Sequence, residues 1–176
     1  GHARALNWSC FHNLPLFRSD RARQWFVDAT LHALEHHDVA VWAYCIMPTH
    51  VHMLVFPRAE PNIGAFRASI TRSTTSVALT WLRTNKPDFL PRLLDAQPSG
   101  RASHRFWQRG GGYDRNLWSP SHIWNTIDYI HHNPVEAGLC DRSIDWPWSS
   151  AAWHHSRGPS PIPLDNTHLP PDPRQH

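Results

Sequence analysis

Along Arg4–Phe11 apolar and polar positions alternate, with Leu6, Trp8 and Cys10 on one side and Ala5, Asn7 and Ser9 on the other. That period of two predicts a strand with one buried face. A helix is expected from Ser19 or Asp20, both good N-caps, with Ala22, Trp25, Phe26, Ala29, Ala33 and Leu34 on one stripe and His36-His37-Asp38 closing it. Val39–Met47 is an unbroken apolar run, the mark of a well-buried strand. Met47-Pro48-Thr49 breaks it, and His50–Phe56 resumes as a third strand paired to the second in a hairpin. On that strand Val51, Met53 and Val55 form the face meant for the helices, and His50, His52, Leu54 and Phe56 form the other, expected to stay open.

From Ile63 a second helix runs to about Arg83, with Ile63, Phe66, Ile70, Val77 and Trp81 as its stripe and Arg67, Arg72 and Ser73–Ser76 on its other faces. Thr84–His104, punctuated by Pro87, Pro91, Pro98 and Gly100, reads as an excursion. Arg105–Arg109 is expected to be a short fourth strand, ended by Gly110-Gly111-Gly112. Ser119-Pro120 then starts a helix in the favoured order of cap and first-turn proline, carrying Ile123, Trp124, Ile127 and Ile130. Pro134 is expected to end it near His132, because the residue before a proline is pushed out of helical geometry. Strand, helix, strand, strand, helix, strand and a further helix give an α+β chain of the ferredoxin-like, split βαβ kind: an antiparallel sheet, two helices on one face and an extra C-terminal helix. In that topology strands one and three are central.

The 176 residues suit one domain over 1–157, and the proline-rich segment 158–176 is expected to be an extended, mobile tail. No apolar run approaches the roughly 20 residues of a membrane span, and no signal-peptide pattern stands at the start. The expectation is a cytoplasmic protein without membrane contact. Cys10, Cys45 and Cys140 are widely spaced and odd in number, as for reduced thiols. Net charge is only +3, but the basic residues are 16 Arg against the single Lys86. Guanidinium forks suit phosphate, so the bias fits nucleic acid; a G·C-rich coding sequence would produce it too.

His50 and His52 fall on one strand face, roughly 6.6 Å apart along the backbone, close enough for two imidazoles to converge on one metal ion. With 15 His in the chain, about one His-x-His is expected by chance, so the pair alone is equally consistent with a core or surface pair. Of the three tyrosines, Tyr44 reads as core and Tyr113 follows the glycines. Tyr129 lies one helical turn before Asn133, so the two share a face; periodicity alone makes Tyr129 a packed helix residue.

Ile46–Val55, with Phe106-Trp107-Gln108 and Tyr129-Ile130-His131-His132-Asn133-Pro134-Val135-Glu136-Ala137-Gly138-Leu139, resembles the single-tyrosine transposases of the HUH type (His-hydrophobic-His). Within that group the likeness is to the REP-associated tyrosine transposases, and it spans roughly Ala5 to Trp153 with the motifs in the family's order. The resemblance implies a domain acting on single-stranded DNA beside hairpins, as monomer or homodimer. His50 and His52 match the family's metal-ligand pair, Tyr129 its nucleophile, and Asn133 the polar ligand that relatives often supply as glutamine. A divalent ion, Mg²⁺ or Mn²⁺, would polarise the scissile phosphate. Such help is needed because a phenol in water titrates near pH 10, leaving about one in a thousand ionised at neutrality. DNA contacts are expected from Arg67, Arg72, Arg105, Arg109 and Arg115, with Trp107 or Trp118 stacking on bases. There is no P-loop, and a phosphotyrosine exchange needs none. The competing readings are a non-cleaving hairpin or single-strand binder of the same fold, and a nuclease that uses water.

Overall fold

The computed structural model describes residues 2–58, 62–97, 100–110 and 114–174. Gly111, Gly112 and Tyr113, singled out above, lie outside the described residues. Four antiparallel strands form the main sheet in the order β2 (Val39–Ile46), β3 (His50–Pro57), β1 (Ala3–Ser9), β6 (Asp114–Leu117). The first and third strands are central, as the split βαβ order requires.

Helices α1 (Asp20–His36) and α2 (Ile63–Asn85) cover one face. Ser19 caps α1 by accepting from the Ala22 N–H, and Asn62 caps α2 through Ala65. Phe26, Val27 and Ala33 of α1 and Phe66 and Ile70 of α2 bury against Leu6, Trp8, Val51, Met53 and Val55. The inner side of α2 continues through Thr74, Ala78 and Leu82, leaving Val77 exposed rather than on the stripe. Helix α3 (Pro120–Glu136) lies on the opposite face, its Ile123, Ile127 and Ile130 packed on Ala43, Cys45 and Leu54. The histidine face is therefore half covered, not open.

Other expectations need correction as well. Arg105–Arg109 is not the fourth strand: it pairs with the chain just past β1 in an isolated bridge between Cys10 and Trp107, and β6 takes the sheet edge instead. Before it, the excursion folds a small hairpin of its own, β4 (Leu94–Ala96) with β5 (Ala102–His104). Nor does α3 stop at His132. It runs through Pro134 to Glu136 and is closed by bonds from Ala137 N–H to the Asn133 carbonyl and from Leu139 N–H to the Pro134 carbonyl. In the last turn a proline removes one helical bond, and those closing bonds offset it.

Residues 158–174 do not form a free tail. Ile162 is fully buried in the main core, Ser160 bonds the Tyr44 hydroxyl at 2.9 Å, and Asp165 N–H donates to the Val41 carbonyl at 3.1 Å. Trp124 Nε1 donates to the Pro170 carbonyl, and Arg174 pairs with Asp128 on α3. Strand β2 lies at the sheet edge, and this strap covers its exposed backbone groups. The short helix α4 (Ala151–Ser156) and Ser149 complete the cover, with Ser150 N–H donating to the Tyr44 carbonyl.

Candidate active site

On the half-covered face β3 presents His50 and His52, and the register sets Ser9 opposite His50 and Asn7 opposite His52 on β1. The two rings lie 4.7 Å apart between centroids, near perpendicular. Thr49 Oγ1 sits 2.9 Å from His50 Nδ1 and fixes that ring, leaving Nε2 to face the site. Tyr129 comes down from α3 with its ring 5.4 Å from that of His52, and the residue is 54% exposed. One turn further on, Asn133 gives its Nδ2 to the Tyr129 carbonyl at 2.7 Å, and its amide lies beside both imidazoles.

Burial pushes His50 below the ordinary histidine value, with the Asn133 amide opposing it. Burial and then the neighbouring His50 push His52 down to about 4, again against Asn133. Desolvation disfavours the charged ring, so both imidazoles are neutral at pH 7 and keep a lone pair for a ligand. Two neutral nitrogens and an amide oxygen make a donor set that fits a divalent ion such as Mn²⁺, and Mg²⁺ with water filling its other positions. Asn7 Oδ1, beside His52, is buried without a protein partner, which leaves one further acceptor at the site for a coordinated water.

The helix that carries Tyr129 and Asn133 is anchored between them. His131 turns inward and its Nε2 meets Ser150 Oγ at 2.8 Å, while the same hydroxyl accepts the Tyr44 N–H at 2.9 Å. His154 packs on His131 at 5.0 Å and meets the Trp42 carbonyl through Nε2 at 2.7 Å. Burial, then the adjacent His154, pushes His131 down to about 3. Thr49, Asn7 and Ser150 were not foreseen. Thr49 had the signal of direct adjacency to His50, whereas Ser150 becomes a neighbour only because the turn before α4 packs on β2.

The arginines divide between two places. Arg115 joins Asn7, His52, Thr126 and Tyr129 around a cavity of about 270 Å³. Arg67, Arg72, Arg105 and Arg109 line a larger groove of about 670 Å³ between α2 and residues 103–110, beside Asn7, Trp8 and Ser9 of β1. Arg67 is half-buried over the Trp8 ring, at 5.5 Å. Arg105 and Arg109 both pair with Asp95, Arg109 at 2.7 Å, and hold its carboxyl below the usual range. Trp107 is buried in the core with its indole N–H donated to the Thr71 carbonyl at 3.2 Å, so its ring is not presented to stack on a base. Trp118 is 68% exposed and packs on His2.

The fold is that of a ferredoxin-like domain with a His-Val-His strand and a tyrosine-bearing helix laid across it. No family model matches the chain. A curated relative from Haemophilus influenzae, whose name describes a REP-associated tyrosine transposase, is 27% identical over 131 residues. That alignment covers 71% of this chain and 66% of the relative, so the chain spans just under two-thirds of the relative's length. The solved structure of a REP-associated tyrosine transposase bound to a REP hairpin superposes with a TM-score of 0.69 at 16% identity, covering 90% of this chain and 81% of that one. The resemblance to REP-associated tyrosine transposases thus holds in sequence and in fold. No helix among the described residues is long and apolar enough to cross a membrane.

Proposed function

We propose that the protein is a metal-dependent transposase or endonuclease that cleaves and rejoins single-stranded DNA beside hairpins through a 5′-phosphotyrosine intermediate. The observation that carries this reading is the convergence of His50, His52, Tyr129 and Asn133 on one half-covered face of the sheet. The likeness to a relative of that name supports it, as does the shared fold with a protein solved on a REP hairpin.

His50, His52 and Asn133 would hold the divalent ion, which when bound withdraws charge from the phosphate oxygens. Thr49 keeps His50 in the tautomer and orientation that a ligand needs. Tyr129 is the nucleophile: its Oη forms a bond to phosphorus as the bond to the 3′-oxygen breaks, and the phenol proton is balanced by the proton gained at the released 3′-hydroxyl. The product is DNA joined through its 5′-phosphate to Tyr129. A second 3′-hydroxyl reverses the step and joins new strands with no external energy source. Arg115 lies beside Tyr129 to meet a phosphate next to the cut. Arg67 and Arg72 sit in the larger groove, where a hairpin backbone can lie.

Incubation with a labelled hairpin carrying a single-stranded flank, with Mn²⁺ or Mg²⁺, tests the reading. A protein–DNA adduct that survives denaturation and is lost with chelator or with Tyr129→Phe is expected. Binding without an adduct would make the protein a hairpin-binding module. Cleavage that persists in Tyr129→Phe would make it a nuclease that uses water.

A further inference from the structure

Outside that site the last turn of α1 carries a second set of donor atoms. His32, Glu35 and His36 are exposed, and their ligand atoms lie within 4.8 Å of one another. The spacing of 3 and 4 residues puts all three on one helix face. The His32 and His36 rings are 4.7 Å apart, and His32 Nδ1 is 3.7 Å from Glu35 Oε2. Neighbouring groups are engaged elsewhere: His37 turns to Phe66 at 5.9 Å, and Asp38 pairs with Arg58 at 3.0 Å. Helix α1 packs on the opposite side of the sheet from His50 and His52.

We propose that His32, Glu35 and His36 form a second metal site, for a zinc-class divalent cation, on the solvent face of α1. Two imidazole nitrogens and a carboxylate oxygen are three of the four ligands of a tetrahedral zinc centre, and water completes it. Bonds of about 2.0–2.1 Å bring such donors to about 3.4 Å from one another, and exposed side chains close the remaining distance by rotating. Imidazole ligands rank Zn²⁺ well above Mn²⁺ and Mg²⁺, so Zn²⁺ is the ion this donor set would take. The run His32-Ala33-Leu34-Glu35-His36 has the spacing of a helical zinc motif in which the glutamate works on a bound substrate. Here the three side chains stand on an open helix face, so the inference is an ion site that ties one turn of α1 to the next and not a hydrolytic centre.

The test uses Zn²⁺ alone, in calorimetry and thermal melts of the full chain, above the ordinary histidine titration range. His50→Ala with His52→Ala removes the other site, and this variant is expected to bind one Zn²⁺ and to melt higher with the ion than without it. Adding His32→Gln and His36→Gln should weaken that binding at least about tenfold and cancel the shift, while the metal-free melt stays unchanged because both residues are exposed. Glu35→Gln should weaken it by a smaller factor. Zinc binding that is indifferent to the two glutamines, or no zinc-dependent shift in the His50/His52 variant, overturns the proposal.

Discussion

Along β3 Val51, Met53 and Val55 are sealed under α1 and α2, whereas His50 and His52, one residue out of step, keep part of their rings open beside α3. The same strand thus serves two environments. On the first face large side chains such as Phe26, Phe66 and Ile70 fill the space completely. On the second, three isoleucines of α3 seal one half and leave the other to His50, His52, Asn133 and an exposed Tyr129. The difference teaches that stability and chemistry are assigned to opposite faces. The histidine side is desolvated enough to keep its imidazoles neutral yet leaves Tyr129 exposed, as the proposed chemistry requires.

Substitutions can break this division cleanly. The largest effect is expected from Tyr129→Phe, which should lower adduct formation at least about 10³-fold by removing the proposed nucleophile; denaturing gels read the adduct, and urea unfolding should find stability little changed. Phe66→Ala makes the mirror case, a loss of about 3–5 kcal/mol in urea unfolding from transfer and cavity terms. Adduct yield per folded molecule should stay near that of the parent.

Thr49→Val acts between these extremes. It keeps shape at His50 but removes the group that holds Nδ1, and a loss of about 10–100-fold in Mn²⁺ affinity is expected by titration. The most gradual effect is a pH slope. His131 is held at about 3 in the folded chain against an ordinary 6.5, so the unfolded chain binds the extra proton between those values. Stability should therefore be full above about pH 6.5 and fall as the pH drops toward 3, by at most about 1.4 kcal/mol per pH unit for this one proton. His50, His52 and His154 are shifted in the same direction. Chemical unfolding across that range, compared with His131→Gln, should show a shallower slope in the variant; an equal slope would assign the acid sensitivity to other groups.

Much of the site was legible beforehand because its signals are local. Ser19 and Ser119 cap helices where their side chains meet the N–H groups that follow them. The one-residue gap between His50 and His52 follows from the strand pleat alone. Pro134 misled for an equally local reason: its restriction on the preceding residue is a tendency, and packing of Ile127 and Ile130 on the sheet overrides it. That override keeps Tyr129 and Asn133 on one continuous helical face.

The sequence by itself determined the first three strands and the three long helices, the face on which His50 and His52 stand and the turn that separates Tyr129 from Asn133, because periodicity and capping act over a few residues. Only the tertiary structure decided which strand closes the sheet, that Trp107 is core, that Asp95 engages Arg105 and Arg109, and that Ser150 and Ile162 return to β2. Those outcomes depend on surfaces brought together from distant parts of the chain. Which partner wins there is set by burial and edge pairing across the whole fold, and no short window of residues contains that competition.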